Sequence, residues 1–176
     1  YGAPRWKDRP QDNATKFLET NIEYHSRVRN SLDRLIFVSN VDGSVPQTYR
    51  DLFNTIPSIL PNAVVLERQN IGMSYAAWTY AYEVYGSEFD YYFVQEDDYV
   101  WVKDDFDTAL IEMIEKIPRC GCLCQFVSEA FGGTHAGMAG GVIKSAALAD
   151  VKTKLGKLFV SNQVKDYGWA QINFSK

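Results

Sequence analysis

The sequence is short of cysteine, of histidine, of basic runs and of long apolar runs. Its three cysteines sit together as CGCLC, at Cys120, Cys122 and Cys124. No second Cys or His group stands at ligand spacing, which excludes a zinc site of the usual kind. Alternation puts the three thiols on one face, so they read as buried free thiols in a reducing compartment. Histidine occurs twice: His25 falls in a first helix and reads as structural, and His135 lies in a Gly-rich stretch. No basic run exceeds two residues, and the net charge is -4. A nucleic-acid groove needs clustered Lys and Arg, so no nucleic-acid partner is expected. No apolar run approaches the roughly 18 residues of a membrane span, and no signal peptide is seen. The expected location is cytoplasmic. In that compartment the sequons Asn13-Ala14-Thr15 and Asn173-Phe174-Ser175 carry no meaning.

What is present is an ordinary globular balance, 46% apolar and 23% charged, in a chain long enough for one domain with a sizeable core. Residues 1–176 are read as a single domain, a fragment of a larger chain. Aromatics reach 14%, which suits either a core or a sugar-binding cleft.

Tyr1 to Gln11 is loop-like. Asp12 caps a helix to about Arg29, with Phe17, Leu18, Ile22 and Val28 at near-helical spacing. RLIFVS (34–39) is a strand ending in the turn cluster NVDGS. Pro46 opens a helix over 47–56, and AVVLER (63–68) is a second strand. Met73 to Tyr85 is a helix with Tyr75, Trp78, Tyr82 and Tyr85 on one face. YYFVQ (91–95) is a strand closed by Glu96-Asp97-Asp98. Asp104 starts a helix through Ile117. CLCQFV (122–127) is a strand, FGGTHAGMAGG (131–141) a Gly-rich loop, and VIK (142–144) a short strand before a helix from Ser145. KDYGWAQINF (165–174) begins another helix. Strand and helix in alternation predict an α/β domain with a mostly parallel central sheet flanked by helices.

Ligands bind beyond the carboxyl ends of strands in such sheets. The acidic triplet is the sharpest feature there. Adjacent carboxylates repel, and a hard divalent cation, Mn²⁺ or Mg²⁺, relieves that repulsion while bridging phosphate oxygens. A solvated acidic turn is the plain alternative. Arg68 could neutralise a phosphate or stack on a base, and Gly72 permits close backbone approach. Asn70 could instead bond its own backbone in a turn. Asp42 is placed on the base or ribose of a nucleotide, or in an ordinary Asp-Gly turn. Gly140 and Gly141 would let a substrate lie against main chain, and His135 could ligate the cation or be a simple loop histidine. Asp166 is a candidate general base or a helix-capping acid. Trp169 could stack on a sugar or pack in the core.

In order, these segments resemble a GT-A glycosyltransferase, the nucleotide-sugar-dependent class. RQNIGMSYAAWTYAYE and FDYYFVQEDDYVWV are similar to its Asn-x-Gly, helix, strand and DxD-type acidic motif. AGMAGGVIKSAAL is similar to its acceptor strand and following helix. KDYGWAQ stands where many members carry an acidic pair. The resemblance covers about Arg34 to Gln171 and runs toward the N-terminal domains of chlorella-virus glycosyltransferases. It implies a GT-A (Rossmann-like) domain, a UDP-sugar donor, a glycan acceptor, Mn²⁺ or Mg²⁺, and rhamnose or glucose as the sugar moved. For a viral chain the compartment would be the host cytoplasm. It implies Asp98 and Glu96 as metal ligands with His135, Asp97 beside them on the donor, and Asp42, Arg68 and Asn70 on the nucleotide. The motif departs from the pattern in opening with Glu, and Lys165 replaces the first acid of the usual pair. The family's first strand should precede a segment like Tyr1–Pro10 and is not found. A nucleotidyltransferase and a non-catalytic, cation-dependent sugar-binding domain are the rival readings.

Overall fold

The computed structural model describes residues 11–41, 45–71, 73–130, 133–156 and 158. Helix α1 spans Gln11–Arg27 and buries Leu18 and Ile22, four apart and therefore one turn apart on one face. Strand β1 follows at Leu35–Val41, then α2 at Gln47–Ile59 and β2 at Ala63–Gln69. The two strands pair in parallel, from Leu35 opposite Ala63 to Val41 opposite Gln69. Parallel neighbours need a crossover, and α2 supplies it. Tyr49, Phe53 and Ile56 line the buried side of α2 and join Leu18, Ile22, Leu35 and Phe37 in a first core. Each large side chain buried there contributes about 1.5–3 kcal/mol. The helix runs through Pro57 instead of stopping at Ile56. The proline removes one donor near the end of the helix, and the Leu60 N–H donates to the Ile56 carbonyl at 2.8 Å to close the last turn.

Helix α3, Met73–Tyr85, leads to β3, Tyr91–Gln95. One side of α3 is small: Ala77 and Ala81 are buried with Val38 of β1. Its aromatic side meets β3. The Tyr82 ring stands 5.3 Å from Tyr92 in T-shaped geometry, and Tyr75, Tyr82, Tyr92 and Val94 share a second core. In β3 the buried residues are Tyr92 and Val94, the alternation expected of a pleated strand.

Helix α4 spans Phe106–Lys116, β4 Cys122–Ala130, β5 Gly133–Lys144 and α5 Ser145–Leu155. The last three strands form an antiparallel sheet in the order β3-β5-β4. The chain is therefore α/β, but its described pairings are one parallel and two antiparallel, not mostly parallel. The expected Gly-rich loop is the cause. Residues 133–141 are the first part of β5, folded back on β4 with no crossover helix between them, and a strand returning through a tight connection must pair antiparallel. Helix α4 also starts later than expected. Asp105 adopts a left-handed backbone, φ 56°, and with Asp104 it turns to Arg29: the Arg29 N–H donates to Asp104 at 2.9 Å and its guanidinium grips the Asp105 carboxylate. No described helix is long and apolar enough to cross a membrane.

Candidate functional site

The carboxyl ends of β1, β2 and β3 come to one rim. Helix α3 leaves the end of β2, and the Ser74 hydroxyl in its first turn donates to Glu96 Oε1 at 2.7 Å, just past the end of β3. That contact puts the ends of β2 and β3 on the same side.

On the β1–β2 side the central residue is Arg68. Its Nη1 donates to Asn40 Oδ1 at 2.6 Å and its Nη2 to the Ile71 carbonyl at 2.8 Å. Asn40 is fully buried. Desolvation lowers the Arg68 pKa from its ordinary value, yet arginine remains a cation at neutral pH. Both acceptors are uncharged, so a half-buried positive charge is held in place without being neutralised by them. Asn70 extends the ladder, its N–H donating to the Val41 carbonyl at 3.0 Å. Its Oδ1 is buried with no hydrogen-bond partner. That oxygen is not spent on the backbone bond of the expected turn, and a buried acceptor left unmade costs about 1–3 kcal/mol.

On the β3 side, Glu96 and Asp97 are half-buried and Asp98 is exposed. The turn carrying them is tied from inside the fold. Gln95 Nε2 donates to the Tyr99 carbonyl at 2.6 Å and also to Asn21 Oδ1 on α1. Asn21 in turn donates to the Asp97 carbonyl at 2.8 Å, and the Tyr99 N–H reaches the Glu96 carbonyl at 3.2 Å. The acids sit on a braced turn, not on a loose acidic loop. Among the described residues no group of three or more His, Cys, Asp and Glu side chains converges at metal-ligand spacing.

The remaining expected site residues fall apart in space or outside the description. Gly140 pairs with Gln95 at the rim, and a Cβ there would meet the Trp101 ring at 3.8 Å. The Trp101 ring in turn stacks on Phe106 at 4.6 Å. Gly141 pairs with Val94 on one side and Cys124 on the other, in the middle of the sheet, so it is a strand position and not part of a loop; with Gly140 it lines a small cavity beside Tyr99 and Trp101. The backbone of His135 lies in β5 opposite Ser128, in a strand and not a loop; its imidazole, and with it the metal-ligand reading, lies outside the description. Asp42, Gly72, Asp166 and Trp169 lie outside the described residues, as does the sequon at Asn173. His25 stands edge-on to Phe37 at 6.1 Å, and burial pushes its pKa down to about 4, as expected of a structural histidine. The cysteines are free and partly buried, and desolvation pushes Cys122 up to about 11, which disfavours its thiolate at neutral pH.

Sequence reasoning missed Asn21, Asn40, Ser74 and Gln95. Asn40 could have been found, because a polar residue inside an apolar strand needs a partner. Asn21 reaches its partners across 74 and 76 residues, and no local pattern marks it. Compared with family models, curated proteins and solved structures, the chain finds no match.

Proposed function

We propose that the chain is a metal-dependent glycosyltransferase domain of GT-A type, moving a sugar from a UDP-sugar to a glycan hydroxyl. The observation that carries the reading is the rim itself. A guanidinium held by uncharged partners and an acceptor oxygen without a donor lie on one side, and three carboxylates on a braced turn lie on the other. The segment from Ile71 to Ser74 joins the two sides. A nucleoside diphosphate with a divalent cation has the matching chemistry: donors on its base for Asn70, phosphate oxygens for Arg68, and a cation for the acids.

The acids fit Mn²⁺ or Mg²⁺ by donor type, since both prefer carboxylate oxygens and keep open positions for phosphate and water. Asp98, exposed at the tip, and Glu96, oriented by Ser74, would hold the ion, with Asp97 beside them; the ion would neutralise the charge of the departing diphosphate. Arg68 would bind and orient the diphosphate, and Asn40 fixes the guanidinium plane. Asp166 is the proposed base for an inverting transfer, or a residue that positions the acceptor in a retaining one.

A thermal-shift series with UDP, GDP and CDP, each with and without Mn²⁺, tests this. The expected result is stabilisation by UDP that requires the metal. Stabilisation by free sugar and cation without nucleotide would instead make the chain a sugar-binding module, and no shift with any nucleotide would sink the proposal.

A further inference from the structure

A small cavity of about 130 Å³ lies beside the segment that leaves the acidic turn. Tyr99 and Trp101 line it from that segment, Leu110 from α4, and Leu123, Gln125 and Gly140 from β4 and β5. Gln95 lines it too, and its Nε2 donates to the Tyr99 carbonyl at 2.6 Å. The brace that holds the acidic turn is therefore also a wall of the cavity.

The backbone here is shaped to leave room. Cys124 pairs with Gly141 and Phe126 with Gly137, so residues 138–140 stand against Gln125 alone. Such bulges gather at sheet rims and beside binding sites. Gly140 belongs to this bulge, and neither its φ nor its neighbours demand a glycine. The glycines with positive φ among the described residues are Gly86 and Gly156. A Cβ at 140 would make only ordinary contacts, the nearest with the Trp101 ring at 3.8 Å. At Gly121, by contrast, a Cβ would meet Ala147 at 2.9 Å, and packing alone accounts for the glycine. A strand glycine costs stability, and one without such a cause marks the close approach of a ligand to main chain.

The lining selects the ligand. None of the described lining residues is charged, so a charged group inside would be desolvated without a partner. The Gln95 amide is spent on Asn21 and Tyr99, whereas Gln125 is exposed and offers an amide to a polar edge. An apolar cavity of roughly 150 Å³ takes up benzene, so this one holds a single six-membered ring. A neutral pyranose has the matching chemistry, a C–H face for the Trp101 and Leu123 walls and hydroxyls for Gln125 and the main chain.

We propose that this cavity seats one neutral pyranose ring and so limits the sugar at the site to uncharged sugars, against uronic acids and sugar phosphates. The ring's part in transfer rests on the glycosyl-transfer reading; its seat does not, and can be tested without nucleotide or metal.

The test is ¹⁹F NMR on the 176-residue chain carrying 5-fluorotryptophan at its four Trp positions, with the Trp101 line assigned by its loss in Trp101→Phe. Methyl pyranosides of glucose, galactose, mannose and rhamnose are titrated against methyl glucuronide and uridine. At least one neutral pyranoside should move the Trp101 line saturably, and methyl glucuronide should bind at least about tenfold more weakly. Gly140→Ala, whose methyl takes up part of the space, should weaken the neutral sugar at least about fivefold while the other Trp lines stay in place. No movement with any neutral pyranoside, equal binding of the glucuronide, a stronger response to uridine, or unchanged binding in Gly140→Ala would each overturn the proposal. The comparison of neutral with acidic sugar needs no variant. With the matching UDP-sugar and Mn²⁺ added, displacement of the pyranoside assigns the ring to the donor, and binding beside it assigns the ring to the acceptor. Stabilisation by UDP and metal with a silent Trp101 line would end this inference and leave the glycosyl-transfer reading standing; a moving line without any nucleotide effect would do the reverse.

Discussion

The two sheets solve the same problem with opposite chemistry. The β1–β2 half is a parallel pair whose rim is made of amides and one guanidinium, with Asn40 buried to hold Arg68. The β3–β5–β4 half is antiparallel, and its rim is made of carboxylates on a turn tied by Gln95 and Asn21. In each half neutral side chains do the holding: Asn40 bonds the Arg68 guanidinium itself, and Gln95 and Asn21 bond the main chain of the acidic turn. At Arg68 the neutral supports leave the charge available to a ligand, whereas an opposite charge on the same nitrogens would consume it. The contrast with Arg29 is instructive. Its guanidinium is spent on Asp105 at the surface, where such a pair adds little, and nothing about it suggests a ligand.

The comparison can be broken most severely through the cores. Phe53→Ala in the first core should destabilise the chain by about 4 kcal/mol. Denaturant melts followed by probes in each half would show whether the sheets unfold together; a transition confined to β1–β2 would make the halves independent. Acid acts next. The folded pKa of His25 is depressed from 6.5 to about 4, so below 6.5 the unfolded chain binds the extra proton. Stability should therefore be intact above pH 6.5 and fall by on the order of 3 kcal/mol as the pH drops toward 4. His25→Leu should flatten that part of the curve, and an unchanged curve would show that the imidazole is hydrated.

At the rim, Asp98→Ala should weaken Mn²⁺-dependent UDP binding about 100-fold in calorimetry, while leaving the melting temperature near that of the parent because the side chain is exposed. Unchanged affinity would remove the acids from the proposed site. The smallest effect is expected from Ser74→Ala. One hydrogen bond to a charged group contributes about 1.5–3 kcal/mol when buried and less here, so a loss of roughly fivefold in the same assay would fit an orienting role. If Ser74→Ala proved as damaging as Asp98→Ala, the two halves would be coupled through α3 more tightly than one hydroxyl implies.

Much of the element order was legible because apolar periodicity is a local signal. YYFVQ alternates as it should, and α3 carries both an alanine side and an aromatic side. The glycine-rich stretch was not legible. Glycine has no side chain to alternate, so the period-two signal of β5 is silent, and only pairing with β4 reveals the strand. The absence of any helical pattern between 127 and 142 was the available clue that the two strands form a hairpin. Of the rim, the charged residues could be read and their supports could not. A lone asparagine or glutamine resembles any surface residue until the fold brings Asn21 against Gln95. Asp104 and Asp105 illustrate the reverse error: they look like helix-opening acids, and the chain uses them to fasten Arg29.

The bracing of the 96–99 turn has a consequence for timing as well as for affinity. Gln95 holds the turn at its far end and Asn21 at its middle, so the segment has already surrendered its backbone freedom in the empty state. On the proposed reading, the carboxylate side chains would still have to close on an arriving ion, but their turn would not have to be gathered from a wandering loop. The rate of loading would then follow how fast the ion sheds its own water, a property of manganese or magnesium and not of the polypeptide.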